Sequence, residues 1–143
     1  MPYSVQKQVK VLNFDSRLLY QGYNQDFGPL NIGHISVYCK EIDELVRNGT
    51  VVIHHTTTFH KTLANQAMLM AAYLMICKQH SASKAWAKFR TVDRELIPYC
   101  DSGARYNSFG LRVLDCLRAL EMAMERGWFK YAQFNSQEYF RMN

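Results

Sequence analysis

The chain has 143 residues, which is the length of a single domain. Its composition, with 48% hydrophobic and 20% charged residues, excludes a disordered tail and allows a core that needs no disulfide or metal. The net charge of +5 is dispersed without a run of Lys and Arg, which argues against a nucleic-acid partner. The longest apolar stretch, residues 67–77, is too short to cross a bilayer, which excludes a membrane protein.

The N-terminal region predicts a strand followed by a turn. Residues 9–14 alternate around β-branched and aromatic side chains, which predicts a strand. Residues 18–20 either extend this strand or form its hairpin partner. The sequence Asp-Phe-Gly-Pro at residues 26–29 predicts a turn that places Pro29 at the first position of a helix.

A helix and a second strand follow. Apolar residues recur at steps of three and four between Ile35 and Val46, which predicts an amphipathic helix. Asn48 and Gly49 are expected to end it, because both residues tolerate the left-handed backbone of a helix cap. Residues 50–54 form a continuous β-branched run, which is typical of a buried central strand.

The second half predicts several more helices. Residues 62–79, dense in Ala and Met and apolar nearly all round, predict a central core helix. Ser83 is expected to cap the next helix, and residues 90–108 are irregular. A strong helix from Leu111 ends at Gly127, and Asn135 caps a last short helix. Together these elements predict one α/β domain over residues 1–143, with a small, mainly parallel sheet flanked by helices.

Four cysteines, Cys39, Cys77, Cys100 and Cys116, are scattered without the Cys-x-x-Cys spacing of a redox or zinc motif. We interpret them as reduced, packed thiols, with a disulfide pair as the less favoured alternative. The N-terminus lacks the apolar stretch of a secretory signal. We therefore expect a cytoplasmic or nuclear protein.

The most informative segment is a strand, a short polar loop and a long helix. The loop, which we call the phosphatase-type loop, consists of His55, Thr56, Thr57, Thr58, Phe59, His60 and Lys61. A loop of this kind collects free backbone N–H groups at the positive end of the helix dipole, so it predicts an anion site. Lys61 either holds an anion there or is a solvated lysine of the first helical turn.

Cysteine-dependent protein phosphatases place His-Cys-x-x-x-x-x-Arg in the same position between strand and helix. The cysteine thiolate attacks phosphorus, and the arginine binds two phosphate oxygens. In this chain His54 matches the motif histidine, but His55 replaces the cysteine and Lys61 replaces the arginine. Histidine supplies no thiolate and lysine offers no planar fork, so we interpret the loop as catalytically dead.

The residues around the loop are more specific. They comprise residues 20–31 (Tyr-Gln-Gly-Tyr-Asn-Gln-Asp-Phe-Gly-Pro-Leu-Asn), 64–67 (Ala-Asn-Gln-Ala), 97–101 (Ile-Pro-Tyr-Cys-Asp), 114–116 (Leu-Asp-Cys), 127–129 (Gly-Trp-Phe) and 134–139 (Phe-Asn-Ser-Gln-Glu-Tyr). With these stretches the sequence resembles the N-terminal domain of the cell-division-cycle-fourteen family of dual-specificity protein phosphatases, over residues 11–139. The resemblance implies a phosphatase-like domain that does no chemistry and needs no cofactor. It also implies a catalytic phosphatase domain in cis, with a groove between the two domains that selects phosphoserine-proline and phosphotyrosine substrates.

The chain departs from the family at the loop, because the family generally has an aromatic residue at the position of His55 and keeps arginine at that of Lys61. It also stops at Asn143, near where the linker to a catalytic domain would begin, so it is either a fragment or a stand-alone relative. A stand-alone relative would be an adaptor that binds a phosphorylated or acidic partner through the loop. An enzyme with His55 as a phosphohistidine nucleophile is a third and less favoured alternative, since the arginine fork is absent.

Other side chains receive structural interpretations. His34, His54, His55 and His60 have no spacing typical of zinc ligands, so we predict no metal site, and we expect His54 to be a core histidine beneath the loop. Asp101 is interpreted as a turn or capping residue and not as a general acid. Four aromatic residues close to one another are candidates for an interface with the catalytic domain: Trp128, Phe129, Tyr131 and Phe134.

Overall fold

The computed structural model describes residues 6–22, 26–100 and 110–142. Within these residues, two parallel strands form one sheet, surrounded by helices. In chain order the elements are β1 (Val9–Leu12), α1 (Ile32–Arg47), β2 (Val51–His54), α2 (His60–Lys78), α3 (Ala82–Ala87), α4 (Arg90–Asp93), α5 (Val113–Glu125), a 3₁₀ turn (Tyr131–Gln133) and α6 (Ser136–Met142). The predicted small α/β domain is confirmed.

The long helix α2 lies at the centre of the domain. Helices α1, α3 and α5 all pack against it, and the short α6 packs on α1. Its alanines Ala64, Ala67, Ala71 and Ala72 are at most 1% exposed, so neighbouring helices approach its backbone closely. The helix is buried on nearly every side, as its uniformly apolar sequence predicts.

Helix α1 begins later than the sequence suggests. Its N-cap is Asn31, whose side chain accepts a hydrogen bond from the His34 N–H at 3.0 Å, and the His34 ring accepts one from the Asn31 N–H at 3.4 Å. The prediction that Pro29 starts the helix is therefore wrong, because this reciprocal cap fixes the first helical residue at Ile32, three residues further on. The predicted end is confirmed: Asn48 is the C-cap, and Gly49 adopts the positive φ of +82°.

The sheet also differs from expectation. β1 ends at Leu12 because the chain turns there to bury Phe14 completely, and the Phe14 carbonyl accepts hydrogen bonds from the N–H groups of Arg17 and Leu18. Residues 18–20 thus neither extend the strand nor form a hairpin partner.

β2 is not a buried central strand. Val51 and Ile53 are 42% and 49% exposed, in register with the still more exposed Val9 and Val11 of β1. The β-branched run therefore predicts the strand correctly but not its burial, because only alternate residues of a strand face the core.

The remaining helices follow the predicted pattern with two differences. Residues 90–108 are not irregular throughout, because α4 forms at Arg90–Asp93, where the Asp93 N–H donates to the Phe89 carbonyl at 2.8 Å. The second difference is a change of cap. Ser81, and not Ser83, caps α3 by accepting a hydrogen bond from the Lys84 N–H at 3.1 Å. Gly127 follows α5 with a positive φ of +72°, and the Asn135 side chain accepts from the Glu138 N–H at the start of α6, both as predicted. Asp101 lies outside the described residues, and all four cysteines are free thiols.

Candidate functional site

The phosphatase-type loop joins β2 to the central helix. The His55 N–H donates to the Leu12 carbonyl at 2.8 Å, which extends the sheet ladder by one bond into the loop. Phe59 is the N-cap of α2 and makes no side-chain cap hydrogen bond. The expected strand, loop and helix are present, and the loop leads directly into a helix N-terminus.

An acidic side chain occupies the first half of this loop. One carboxylate oxygen of Asp15 accepts a hydrogen bond from the Thr56 hydroxyl at 2.7 Å, and the other accepts one from the Thr57 backbone N–H at 3.0 Å. The Thr57 hydroxyl in turn accepts from the Phe59 N–H at 3.3 Å. Three donors of the loop, the Thr56 hydroxyl and the Thr57 and Phe59 N–H groups, are thus bonded within the protein. Sequence reasoning missed Asp15, which stands 41 residues before Thr56.

The side chains at the two substituted positions of the motif, His55 and Lys61, contact different parts of the domain. His55 is exposed, and its Nδ1 accepts a hydrogen bond from the Asn13 side-chain amide at 3.0 Å. The Lys61 ammonium lies 5.9 Å from the centre of the Phe27 ring, the distance of a cation–π contact. Lys61 is therefore directed to the turn at Phe27, where it lines a cavity of about 230 Å³ together with Asp15 and Phe59.

His54 is held between two side chains beneath the loop. Its Nδ1 accepts from the Tyr38 hydroxyl at 2.8 Å, and its Nε2 donates to the Gln66 side-chain oxygen at 3.0 Å. Burial lowers the pKa of His54 below its ordinary value, although the Gln66 hydrogen bond and the Asp15 carboxylate oppose this shift. The lowered pKa favours the neutral imidazole, and both ring nitrogens have hydrogen-bond partners, which agrees with the interpretation of His54 as a core histidine.

His60 packs among aromatic rings at the first position of α2. Its ring centre is 5.1 Å from that of Phe59 and 6.3 Å from that of Phe27, and its buried Nδ1 has no hydrogen-bond partner within the described part of the chain. Thr58 is exposed at the tip of the loop. These contacts place His60 in the packing beneath the loop.

Two buried amides on α2 tie the surrounding segments together. Asn65, 3% exposed, accepts from the Leu30 N–H at 3.3 Å and from the Tyr99 hydroxyl at 2.9 Å, and it donates to the Gly28 carbonyl at 3.0 Å. Gln66, 1% exposed, donates to the Leu18 carbonyl at 2.9 Å. The sequence indicates this role, because Asn65 and Gln66 are two adjacent polar residues inside an apolar helix, and buried polar side chains need hydrogen-bond partners.

The four candidate interface aromatics occupy different environments. Trp128 is 70% exposed, with the Arg126 guanidinium 5.2 Å from its ring, whereas Phe129 is only 5% exposed. Phe134 packs edge to face on Phe129 at 5.3 Å, and burial raises the pKa of the half-buried Tyr131. Of these four side chains, Trp128 is the one open to a partner.

Two negative observations apply to residues 6–22, 26–100 and 110–142. Among these residues, no group of three or more His, Cys, Asp and Glu side chains is arranged to hold a metal ion. Over the same residues, no helix combines the length and apolarity that crossing a membrane requires.

Comparison with known families places the chain. A family model described as "Dual specificity protein phosphatase, N-terminal half" matches residues 2–123, which include both strands and the whole phosphatase-type loop. The chain belongs to this family. The resemblance drawn from the sequence motifs is thereby confirmed.

Individual relatives are dual-specificity and tyrosine phosphatases. The chain is 32% identical over 131 residues to the mouse (Mus musculus) dual specificity protein phosphatase CDC14B, covering 89% of the chain and 27% of that protein. It is 29% identical over 135 residues to human (Homo sapiens) CDC14C, covering 92% and 30%, and 28% identical over 127 residues to the tyrosine-protein phosphatase cdcA of Emericella nidulans, covering 87% and 21%. The chain thus spans less than a third of the length of these relatives.

Proposed function

We propose that this chain is a non-catalytic, phosphatase-like domain that forms part of a substrate-recognition groove beside a catalytic phosphatase domain of the same polypeptide. The observation that carries the proposal is the loop itself, which keeps the strand-loop-helix geometry of a phosphatase while His55 and Lys61 replace the nucleophile and the phosphate-binding arginine. Membership of the N-terminal-half family supports the same conclusion.

The chemistry of the loop supports the absence of catalysis. Phosphoryl transfer by these enzymes requires a thiolate at the loop, and none of the four cysteines lies in it. The His55 ring is exposed, and the neutral Asn13 amide that is bonded to its Nδ1 supplies no charge to activate it as a nucleophile. Asp15 adds a negative charge where a phosphate dianion would have to bind.

The cavity beside the loop is the part of the groove that this domain would supply. It lies between the turn at Phe27 and the start of α2, and Phe59 at its rim is 55% exposed. Phe59 and Lys61 would contact apolar and acidic side chains that flank the phosphorylated residue of a peptide, whose phosphate group would bind in the catalytic domain. Phosphoprotein substrates are the partners that fit this description.

The proposal is tested on the complete protein, encoded by the reading frame that includes this chain. We expect the reading frame to encode a His-Cys-x-x-x-x-x-Arg motif downstream of residue 143. A stop codon directly after the codon for residue 143 would contradict the proposal. In that protein, Phe59→Ala and Lys61→Ala should lower kcat/KM for a phosphopeptide by about 5–30-fold, because lost recognition contacts are worth about 1–2 kcal/mol. Turnover of a small aryl phosphate should not change.

Lys84→Ala on α3 serves as the matched control, since Lys84 is exposed and lies on another helix. Equal losses on phosphopeptide and aryl phosphate would mean that the variants damage the catalytic domain and not recognition. Unchanged kinetics on both substrates would exclude this cavity from the groove. The adaptor alternative receives no such support, because an external phosphate would first have to displace Asp15 from Thr56 and Thr57.

A further inference from the structure

Contacts of the two preceding residues fix the position of Asp15 on the loop. The preceding residue, Phe14, is completely buried, and the Asp15 N–H donates to the Asn13 side chain at 2.8 Å. From this anchored turn, the two carboxylate oxygens reach two different donors of the loop, the Thr56 hydroxyl and the Thr57 N–H. The carboxylate therefore binds the loop as a bidentate ligand would.

A carboxylate and a phosphate compete for the same kind of donor. Both are oxyanions that accept from hydroxyl and backbone N–H groups, and such charge-assisted bonds are stronger than neutral ones. Because Asp15 belongs to the same chain, its effective concentration at the loop is far above that of a free anion. We propose that Asp15 is the built-in ligand of the phosphatase-type loop and that it excludes external oxyanions, phosphate above all, from Thr56 and Thr57.

The charges around the loop agree with this assignment. Burial favours the neutral form of His54 beneath the loop, which disfavours a positive charge there that would attract a second anion. Lys61 lies over the Phe27 ring, and Asp15 lines the cavity that Lys61 also lines. A phosphate entering this cavity would meet a carboxylate in its wall.

The test uses Asp15→Ala and Asp15→Asn, with Glu44→Ala and Glu44→Gln as controls that remove one exposed carboxylate from α1. Thermal unfolding is followed in potassium chloride and in potassium phosphate of equal ionic strength. In chloride, the Asp15 variants should unfold about 3–8 °C below the wild type. If phosphate then binds the vacated loop with a Kd of roughly 1 mM, 20 mM phosphate should raise their Tm by about 3–6 °C.

The wild type and the Glu44 variants should show no such phosphate-specific gain. A gain in the wild type equal to that of the Asp15 variants would overturn the proposal, because the loop would then be open to phosphate with Asp15 in place. Absence of a gain in both Asp15 variants would overturn it too, whether or not they lose stability. If Asp15→Ala does not fold in chloride, Asp15→Asn, which keeps the side-chain shape, decides between these outcomes.

Discussion

The buried amide of Asn65 gives a prediction whose size follows from the structure. In Asn65→Leu, a side chain of similar outline leaves the Leu30 N–H and the Tyr99 hydroxyl without their partner, and the half-buried Gly28 carbonyl loses its amide donor. An orphaned buried polar group costs about 1–3 kcal/mol. The Leu30 hydrogen bond is long at 3.3 Å, and the Tyr99 hydroxyl keeps a weak contact with the Met68 sulfur at 3.9 Å. The cost of losing each of these two bonds should therefore lie near the low end of that range. We expect a loss of about 2–4 kcal/mol in the free energy of unfolding.

Urea unfolding monitored by tryptophan fluorescence measures this loss, with Gln137→Leu on the exposed side of α6 as the control. The control should stay within about 0.5 kcal/mol of the wild type. Tyr99→Phe alone should cost about 0.5–1.5 kcal/mol of unfolding free energy. The double variant Asn65→Leu/Tyr99→Phe should lose less than the sum of the two single losses, because phenylalanine at position 99 has no hydroxyl that could be left without a partner. Strict additivity, or a loss below about 0.5 kcal/mol in Asn65→Leu, would refute this account of the amide.

Three further predictions concern other parts of the domain. In Gly33→Ala the added methyl group would lie 2.6 Å from the Phe140 ring and 2.7 Å from the Tyr139 ring, so α6 should detach from α1. Amide hydrogen exchange in residues 136–142 should then accelerate. An unchanged exchange rate would contradict this packing. Because the pKa of His54 is lower in the folded than in the unfolded protein, its stabilising contribution is complete above about pH 6.5 and is lost as pH falls through its folded pKa. The unfolding free energy of the wild type should therefore drop more steeply between pH 7 and 5 than that of His54→Gln in parallel urea titrations, and equal slopes would exclude His54 as the cause. Trp128→Ala should change stability by less than about 0.5 kcal/mol in chemical unfolding, since the side chain is 70% exposed, and a loss above 1 kcal/mol would show that it supports the core.

Local sequence signals predicted the helices well because their causes are local. The apolar periodicity of α1, the Gly127 stop and the Asn135 cap each depend on residues within one or two helical turns. Pro29 misled because two caps competed, and the reciprocal pair of Asn31 and His34 satisfied more backbone groups than a proline start would have.

The site was predictable only in part because its decisive contacts are long-range. The motif around His55 and Lys61 predicted the loop and the replacement of its cysteine and arginine, and this prediction required no knowledge of tertiary contacts. The occupation of that loop by Asp15 depends on how the turn after β1 packs, which no local pattern encodes. The exposure of β2 was missed for the same reason, since β-branched residues report strand preference and not what covers the strand.

The central claim, a phosphatase-like domain without catalysis, is tested most directly by assaying the purified chain with p-nitrophenyl phosphate over pH 5–8, beside His55→Ala. We predict that neither protein releases nitrophenol faster than buffer, because the loop has no thiolate and Asp15 is bonded to its donors. Turnover by the wild-type chain that disappears in His55→Ala would contradict the account and establish His55 as a nucleophile.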